Sequence, residues 1–352
     1  MNKQSVIFPE ALETSLQQAI ESCYPDKLFI LTDQTTRHLC WPAIQSFACL
    51  KTAGHITIGA GDEYKTLDTL AHVWQELGRA GATRHSMLIN LGGGMVTDLG
   101  GFAASTFKRG IAFLNVPTTL LAMVDASVGG KTGINFNGLK NEIGVFNTAS
   151  SVLIDTHFLQ TLDSQNLCSG YAEMLKHGLI SNERHWAELI NFDLRQADLP
   201  RLQQMVATSV AVKERIVEND PLEQGLRKAL NLGHTVGHAI ESLALAEQRP
   251  VLHGYAVAWG LICELYLSHT KAGFPIDRLR RTQQFIRDNY GTFLFDCKQY
   301  DRLYEFMTHD KKNTAGTINF TLLGNIGDIR INQHATREEI FEALDFFRET
   351  IG

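Results

Sequence analysis

A strand-like apolar run leads directly into three glycines and then into a helical pattern at residues 88–105, which read LINLGGGMVTDLGGFAAS. The run before the glycines shows no polar alternation, which is typical of a strand buried on both faces of a parallel sheet. Glycines permit a tight turn, and a helix that starts there exposes N–H groups that have no partner within the helix. This strand–turn–helix unit predicts a parallel sheet that is covered by helices.

Short apolar runs recur up to about residue 160, and helical patterns dominate after residue 163. Strands are predicted at 27–33, 55–61, 86–94, 111–119 and 151–155, helices at 66–81, 165–180, 184–192, 199–218, 226–246, 254–270, 276–289 and 336–349, and a polar hairpin at 317–332. Strands that alternate with helices indicate a parallel sheet with helices on its faces. We therefore predict an α/β domain over residues 1–162 and a mainly α-helical domain over residues 163–352.

The composition argues against several classes of partner. The net charge of −6 and the pI near 6.1 disfavour a nucleic-acid partner, which usually selects a basic surface. The longest apolar region, at 254–267, is shorter than a membrane span and is interrupted by Glu264. The six cysteines form no CxxC pair, and the first residues contain no signal-peptide core. We therefore expect a cytoplasmic protein with no membrane and no nucleic-acid partner.

The glycine turn at 92–94 allows two interpretations. Glycines let the backbone approach a phosphate closely, and a helix N-terminus adds free N–H groups and a partial positive charge. A triple glycine also suits a tight turn with close helix–sheet packing, and its order differs from the GxGxxG of dinucleotide-binding proteins. The turn alone leaves both interpretations open.

Several cationic side chains lie among glycines and apolar residues or beside polar motifs rather than in a solvated run of charge, although one or two of them could simply be loop lysines. They are Lys108, Arg109, Lys131, Lys140, Lys176, Lys213, Arg227, Lys311 and Lys312. Residues 127–135, SVGGKTGIN, are predicted to form a glycine-flanked loop that holds Lys131, an arrangement that favours phosphate binding. On a chain of net negative charge, these cations indicate an anionic ligand that carries phosphate and carboxylate groups.

Acidic and histidine side chains also occur in predicted helices that are otherwise apolar. Glu173 and Lys176 share one helix face, and the charge of Glu173 needs a partner such as a metal ion. A polar stripe is predicted along the later helical segments: Arg227, Asn231, His234 and His238 on one helix, with His253 at the start of the next. One carboxylate and two or three histidines suit a zinc-type site with an open position. Each histidine alone also suits a hydrogen-bonded core position, and HTVGH lacks the glutamate of metalloproteases.

Six motifs together resemble those of the 3-dehydroquinate synthase family. They are GGGMVTDLGGFAASTFKRG (92–110), VPTTLLAMVDASVGGKTGIN (116–135), LKNEIGVF (139–146), GYAEMLKHGLI (170–180), GLRKALNLGHTVGHAIE (225–241) and HDKKNTAGTI (309–318). Their order and spacing match over most of the chain. The resemblance implies a Rossmann-like N-terminal domain that binds NAD+ and a mainly α-helical C-terminal domain that binds a divalent metal. It also implies a homodimer.

The resemblance assigns candidate site residues. The metal ligands would be Glu173, His234 and His253, with Zn2+ the expected ion and Co2+ the alternative. The NAD+ contacts would be Asp33, Asp62, Lys65, Gly93, Gly94, Asp98, Thr118, Thr119, Lys131, Lys140, Phe158 and Thr161. The substrate contacts would be Arg109 from a neighbouring subunit, Asp125, Lys131, Lys140, Asn141, Lys176, Lys213, Arg227, Asn231, His238 and Lys312 or else Lys311.

The family's substrate, 3-deoxy-D-arabino-heptulosonate 7-phosphate, is a sugar acid with one carboxylate and one phosphate. The implied reaction passes a hydride from C5 to NAD+, eliminates phosphate, returns the hydride and closes a carbocycle by an internal aldol reaction. The resemblance places Lys131, Asn141 and Lys213 at the phosphate and Arg227 with a C-terminal lysine at the carboxylate. The spacing of His234 and His238 alone favours one ion bound by both histidines. The resemblance implies instead that His238 contacts the substrate.

Some positions depart from the family pattern. Asp62 occupies a position where glutamate is usual, with Glu63 as the alternative contact, and Thr97 and Glu142 replace a glycine and an apolar residue. The segment LDSQNL (162–167) lacks the usual proline and arginine. Three other functions remain open: a related sugar phosphate cyclase that makes 2-deoxy-scyllo-inosose or 2-epi-5-epi-valiolone, a metal-dependent alcohol or glycerol dehydrogenase, and a non-catalytic binding module.

Overall fold

The computed structural model describes residues 4–308 and 318–349. The chain divides into two compact units, Met1–Asp163 and Ser164–Gly352. Among the residues described, no helix is both long enough and apolar enough to cross a membrane.

Parallel strands form the centre of the first unit. Its strands are β1 (Ser5–Ile7), β2 (Leu28–Asp33), β3 (Gly54–Ile58), β4 (Met87–Gly92), β5 (Ala112–Pro117), β6 (Lys131–Phe136), β7 (Leu139–Phe146) and β8 (Ser151–Leu153). Its α-helices are α1 (Leu12–Glu21), α2 (Gln34–Leu39), α3 (Leu67–Arg79) and α4 (Gly94–Thr106). Six strands form one parallel sheet in the order β1-β8-β5-β4-β2-β3, and β6 pairs with β7 in a separate antiparallel hairpin.

The predicted parallel sheet is confirmed, and its strands β2, β3, β4, β5 and β8 match the five predicted ones. The strand β1 escapes prediction because three residues are too few to show a period. The loop predicted at 127–135 is wrong in part, because β6 occupies residues 131–136. Its partner β7 is exposed along its whole length, so no buried face produces the alternation that marks a strand.

The sheet has a topological switch point between β2 and β4. From β2 the chain moves outward to β3 at one edge, and then returns to place β4 on the other side of β2. The loops that leave the carboxyl ends of β2 and β4 therefore diverge, which opens a crevice between them. Ligands of open α/β sheets bind in such crevices.

The unit formed by β4 and α4 is packed very closely. Met87, Leu88, Ile89 and Leu91 of β4 are wholly buried. A Cβ atom on Gly100 of α4 would lie 2.0 Å from the side-chain oxygen of Asn90, so only glycine allows the helix to lie this close to the strand. This close packing sets the position of the α4 N-terminus at the carboxyl end of β4.

Helices form most of the second unit. They are α5 (Ser164–Leu179), α6 (Glu183–Ile190), α7 (Leu199–Asn219), α8 (His234–Ala246), α9 (His253–Ala272), α10 (Ile276–Tyr290), α11 (Tyr300–Thr308) and α12 (Arg337–Glu349), with a hairpin of β9 (Phe320–Asn325) and β10 (Asp328–Gln333). The helix α9 lies at the centre, packed against α5, α8, α10, α12 and β9. Its residues 256–265 are buried on every side, as expected of a core helix.

The single helix predicted at 226–246 is wrong. Residues Leu226–Asn231 form a 3-10 helix, and α8 begins only at His234. Between them Gly233 adopts a left-handed conformation with φ of 81°, which ends the first helix and redirects the chain. The predicted polar stripe is therefore interrupted after Asn231, although His234 and His238 still share one helix.

One buried histidine makes the stability of the second unit depend on pH. His185 of α6 is 2% exposed, and its Nε2 lies 2.9 Å from the Ser209 hydroxyl. Burial lowers the pKa of His185 from 6.5 to about 4. Because the unfolded chain takes up this proton near pH 6.5, the contribution of His185 is present above that pH and is lost as the pH falls toward 4.

We predict that a His185→Gln variant loses less stability on acidification than the parent. Between about pH 7 and about pH 5, protonation of His185 in the unfolded chain should lower the parent's free energy of unfolding by about 2 kcal/mol. Urea unfolding followed by far-ultraviolet circular dichroism at both pH values measures the difference. The control is His72→Gln, at an exposed position of α3. Equal acid sensitivity of the parent and His185→Gln would contradict the assignment.

Candidate active site

Three helices of the second unit bring one carboxylate and two imidazoles together. Glu173 lies on α5, His234 is the first residue of α8, and His253 is the first residue of α9. The Oε1 atom of Glu173 is 3.5 Å from the Nε2 atom of His234 and 3.5 Å from that of His253. The three potential ligand atoms all lie within 4.8 Å of one another. The cluster therefore collects side chains that are far apart in the sequence.

The geometry of this cluster fits a divalent metal ion. Tetrahedral bonds of about 2.0–2.1 Å hold ligand atoms about 3.4 Å apart, close to the separations observed here. Glu173 is wholly buried, and its Oε1 accepts no hydrogen bond from the described residues. A buried carboxylate oxygen without a partner is costly, and a cation would remove that cost. Three protein ligands would leave a fourth position for a substrate oxygen.

The outer nitrogen atoms of both imidazoles are held by the protein. The Nδ1 atom of His234 is 3.1 Å from the Leu232 carbonyl oxygen, and that of His253 is 3.4 Å from a carboxylate oxygen of Glu241. Such contacts orient a metal-ligating ring and select its tautomer. Sequence reasoning missed Glu241, although a buried acidic residue in the apolar run AIESLALA was a usable signal.

The charges around the cluster are coupled. Burial raises the pKa of Glu173, but the Lys176 ammonium and the nearby His253 outweigh it and hold that pKa well below its usual range. Lys176 forms a buried ion pair with the second oxygen of Glu173. Burial lowers the pKa of His253, but the carboxylates of Glu173 and Glu241 outweigh it and raise the pKa to about 10. Glu173 thus remains ionised, which is the state that binds a cation.

His238 lies beside the cluster rather than within it. Its ring centroid is 5.3 Å from that of His234 and 5.9 Å from that of His253. The group of potential ligands that contains both His234 and His253 is completed by Glu173 and does not include His238. His238 is half-buried, so a ligand beside the ion could contact it.

The predicted cations of the second unit are largely buried. Lys176, Lys213 and Arg227 are 1%, 5% and 1% exposed. Arg227 donates through Nη1 to the Pro221 carbonyl oxygen at 2.7 Å, and the side chain of Asn231 donates to Glu223 at 3.0 Å. Positive charge removed from water favours an anionic ligand. Lys311 and Lys312 lie outside the described residues.

In the first unit, ten of the twelve predicted NAD+ contacts lie at the carboxyl edge of the sheet. These ten lie at or after the end of a parallel strand: Asp33 in β2, Asp62 and Lys65 after β3, Gly93, Gly94 and Asp98 after β4, Thr118 and Thr119 after β5, and Phe158 and Thr161 after β8. The other two, Lys131 and Lys140, lie in the hairpin of β6 and β7. Ligands of such sheets bind at this edge. Parallel pairing thus brings together residues that are far apart in the chain.

The N-terminus of α4 offers an anion site at this edge. Its N-cap, Gly93, has no side chain to satisfy the first N–H groups. A Cβ atom on Gly93 would lie 3.0 Å from the Thr119 methyl carbon, so Thr119 packs closely against the turn. Free N–H groups and the helix dipole favour a phosphate here. Oδ1 of Asp33 accepts from the Thr36 N–H at 2.7 Å and caps α2, so a ligand would meet its other oxygen.

A hydrogen-bonded network joins several predicted cofactor and substrate contacts. The buried Lys65 ammonium is 2.6 Å from an Asp98 oxygen and also contacts the side-chain oxygen of Asn141. Asn135 accepts from the Asn141 N–H at 2.9 Å and donates to an Asp62 oxygen at 3.2 Å. The Lys140 ammonium lies 3.5 Å from the same Asp62 oxygen. Sequence reasoning missed Asn135, because its role depends on the hairpin β6–β7.

The structure separates Arg109 from this edge. Arg109 is exposed and follows the C-terminus of α4, whereas Gly93 precedes its N-terminus. A helix of 13 residues spans about 20 Å, so the two positions lie far apart within one chain. Lys131 is exposed at the start of β6, and Asp125 lies in the π-helical turn Ala122–Ala126.

Comparisons with known protein families match most of the chain. Residues 55–169 match the model of the 3-dehydroquinate synthase N-terminal domain, and residues 170–313 match that of its C-terminal domain. A 3-dehydroquinate synthase of Parabacteroides distasonis is 54% identical over 352 residues, which is 100% of both chains. One of Pyrococcus furiosus is 41% identical over 271 residues, covering 77% of this chain and 78% of that protein.

Solved structures share the architecture of both units. A 2-epi-5-epi-valiolone synthase from Streptomyces hygroscopicus, with NAD+ and Zn2+ bound, has a TM-score of 0.88 and 26% identity, covering 99% of this chain and 98% of that one. A 2-deoxy-scyllo-inosose synthase with carbaglucose-6-phosphate, NAD+ and Co2+ has a TM-score of 0.83 and 24% identity, covering 98% and 96%. At 24% identity, the second likeness concerns the fold alone.

We predict that His234→Ala abolishes metal binding and that His238→Ala does not. His234 supplies one of the three potential ligand atoms, whereas His238 lies outside that group. Metal analysis after dialysis should find about one ion per chain in the parent and in His238→Ala, and almost none in His234→Ala. Loss of metal from His238→Ala would instead indicate an ion shared by both histidines of α8.

Proposed function

The chain belongs to the 3-dehydroquinate synthase family, and on that premise we propose that it converts 3-deoxy-D-arabino-heptulosonate 7-phosphate to 3-dehydroquinate and phosphate. NAD+ and a divalent metal, Zn2+ in the first place, would serve as cofactors. The observation that carries the proposal is the group of buried Glu173 and His234 with half-buried His253, whose spacing fits one ion. Identity of 54% along the full length to a 3-dehydroquinate synthase supports it.

NAD+ would bind at the carboxyl edge of the parallel sheet. Its pyrophosphate would receive hydrogen bonds from the α4 N-terminus after Gly93, and Asp33 would contact a ribose hydroxyl through its second carboxylate oxygen. The ion pair of Lys65 and Asp98 would hold the adjoining wall in place. The cofactor would thereby be oriented at the switch point between β2 and β4.

Glu173, His234 and His253 would hold the ion. When bound, it would lower the pKa of the C5 hydroxyl and so ease removal of that proton as hydride leaves for NAD+. Lys176 would keep Glu173 ionised throughout. His238, half-buried beside the cluster, would hydrogen-bond the substrate or carry its proton.

Cationic side chains, buried in the second unit and exposed at Lys131, would recognise the two anionic groups of the substrate. Lys213, with Lys131 and Asn141, would hold the phosphate, and Arg227 the carboxylate, together with Lys312 or Lys311. A guanidinium can donate two parallel hydrogen bonds to a carboxylate, which favours a sugar acid over a neutral sugar. Burial of Arg227 strengthens this preference, because its charge loses hydration.

Two rival functions share the fold. Sugar phosphate cyclases such as the valiolone synthase superimpose over nearly the whole chain, so the fold does not separate them from the proposal. Their sequence identity is much lower than that of the Parabacteroides relative. A butanol dehydrogenase of Thermotoga maritima, at 13% identity and a TM-score of 0.68, is similar in fold alone.

One assay separates these functions. The metal-loaded protein is incubated with the heptulosonate phosphate and NAD+ while inorganic phosphate and NADH absorbance are followed together. The proposal expects release of phosphate without lasting NADH, because hydride leaves and returns within one turnover. Lasting NADH from a simple polyol, without phosphate release, would indicate a dehydrogenase. Turnover of a sugar phosphate that lacks a carboxylate, in place of the heptulosonate, would indicate another cyclase.

We predict that Lys131→Ala reduces turnover at least a hundredfold, about 3 kcal/mol, and leaves the fold intact. The side chain is exposed, so its loss removes little packing. Phosphate release and circular dichroism together measure the two effects. Lys51→Ala, at an exposed position before β3, is the matched control and should retain full turnover. Near-normal turnover of Lys131→Ala would remove Lys131 from the site.

We also propose that the protein is a homodimer that pairs through β7. All eight residues of β7 are exposed, and its outer edge has no partner strand among the described residues. Leu139, Ile143 and Val145 are 55%, 37% and 38% exposed. A long apolar edge strand is a template for pairing with another chain. A second copy would also supply Arg109, which lies at the far end of α4 from the cofactor edge of its own chain.

We predict that the double variant Ile143→Lys with Val145→Lys weakens the dimer at least tenfold, since two facing lysines would meet their copies across the interface. Light scattering over a dilution series measures the association. Tyr24→Lys, at a residue that is 88% exposed elsewhere in the unit, controls for added charge. A parent that is monomeric at all concentrations would contradict the dimer, and an unaffected double variant would contradict the choice of β7.

A further inference from the structure

The core helix α9 carries a buried carboxylate, Glu264, that none of the roles above employs. Glu264 is 0% exposed, and its neighbours Cys263 and Leu265 are also wholly buried. An ionised carboxylate without partners costs several kcal/mol in such surroundings. Its presence in an otherwise apolar helix therefore requires strong hydrogen-bond donors.

Those donors are backbone groups at the start of α8. One oxygen of Glu264 accepts from the Gly233 N–H at 2.6 Å, and the other accepts from the Val236 N–H at 3.1 Å. Helices usually satisfy these groups with a Ser, Thr, Asp or Asn at the N-cap. The N-cap of α8 is Gly233, which has no side chain, so a residue of another helix supplies the cap. The helix dipole adds to the attraction.

The capped segment contains a metal ligand. His234 lies between Gly233 and Val236, the two residues whose N–H groups donate hydrogen bonds to Glu264. The ring of His234 in turn contacts the Leu232 carbonyl oxygen at 3.1 Å. The position of its Nε2 relative to Glu173 therefore depends on the backbone that Glu264 holds.

The same helix carries another ligand, His253. Eleven residues separate His253 from Glu264, which is about three helical turns and returns to the same face. Gly260 lets the two helices approach here, since a Cβ atom on it would lie 2.1 Å from the Gly233 carbonyl oxygen. One rigid helix thus bears one ligand directly and fixes the backbone of a second.

We propose that Glu264 is a positioning residue of the metal centre, which acts by capping α8 and setting the place of His234. This inference rests on the metal site proposed above. Glu264 does not touch the ion or the substrate in this role. Its loss should therefore weaken metal binding and alter the geometry of the bound ion rather than only lower stability.

The test is a titration of the metal-free chain with Co2+, followed by the visible absorption of the bound ion. Glu264→Gln keeps the shape but turns an amide N–H2 toward a backbone N–H, so one hydrogen bond is lost and two donors face each other. We expect about tenfold weaker binding of Co2+ and a changed visible spectrum, as for other residues that orient ligands. Thermal unfolding of each variant is measured in parallel.

A matched control lies one turn farther along α9. Ser268 is also 0% exposed, accepts from the Leu323 N–H at 3.0 Å and makes no hydrogen bond to α8 among the described residues. Ser268→Ala should lower the thermal midpoint while the affinity and spectrum of Co2+ stay those of the parent. This separates a positioning role from general loss of stability.

Unchanged affinity and spectrum in Glu264→Gln would overturn the inference, whatever happens to the thermal midpoint. If that variant does not fold, Glu264→Asp keeps the charge but shortens its reach, and an affinity equal to the parent's would overturn the inference in the same way. Retention of Co2+ affinity in His234→Ala would instead overturn the proposed metal site itself. The two failures are therefore distinguishable.

Discussion

The second unit depends on how the buried charge of Glu173 is balanced. A carboxylate in the core must receive positive charge or hydrogen bonds on both oxygens, or it destabilises the fold. Lys176, three residues later in the same helix, forms an ion pair with one oxygen. The other oxygen faces the two imidazoles of His234 and His253, which come from separate helices. The packing of α5, α8 and α9 thus depends on balancing the charge of Glu173. The proposed metal site is built on the same carboxylate.

In the first unit, backbone geometry rather than buried charge shapes the candidate site. The proposed nucleotide site there needs no unusual side chain, because parallel strands end at one edge and direct their loops toward it. The side chains that matter are small or are held by neighbours, as Asn135 holds Asn141 and Asp62. Asp62 accepts a hydrogen bond from Asn135 and forms an ion pair with Lys140 in spite of its shorter side chain. The change from glutamate to aspartate therefore leaves the network intact.

Much of the fold could be predicted from local patterns, and the limits were physical. Five strands of the sheet were visible: β2, β4, β5 and β8 are buried along nearly their whole length, and the edge strand β3 closes on a glycine turn. The hairpin β6–β7 was not, since an exposed strand has no periodic signal. The continuous helix over Arg227 and His238 was wrong because apolar periodicity says nothing of a left-handed glycine at 233. Motif resemblance predicted Glu173, His234 and His253 as metal ligands, and the structure brings these three side chains together. The contacts of Glu241 and Glu264 follow from helix packing, which sets their hydrogen-bond partners.

The carboxylate oxygen of Glu173 that accepts no hydrogen bond from the described residues links the supply of metal to the persistence of the folded chain. A ligand that binds only the folded state adds stability that grows with the logarithm of its free concentration above the dissociation constant. An ion at this oxygen would join α5, α8 and α9, the helices that surround the core of the unit. Cells short of the metal would then hold fewer enzyme molecules as well as less active ones, because chains without it would open and be degraded sooner.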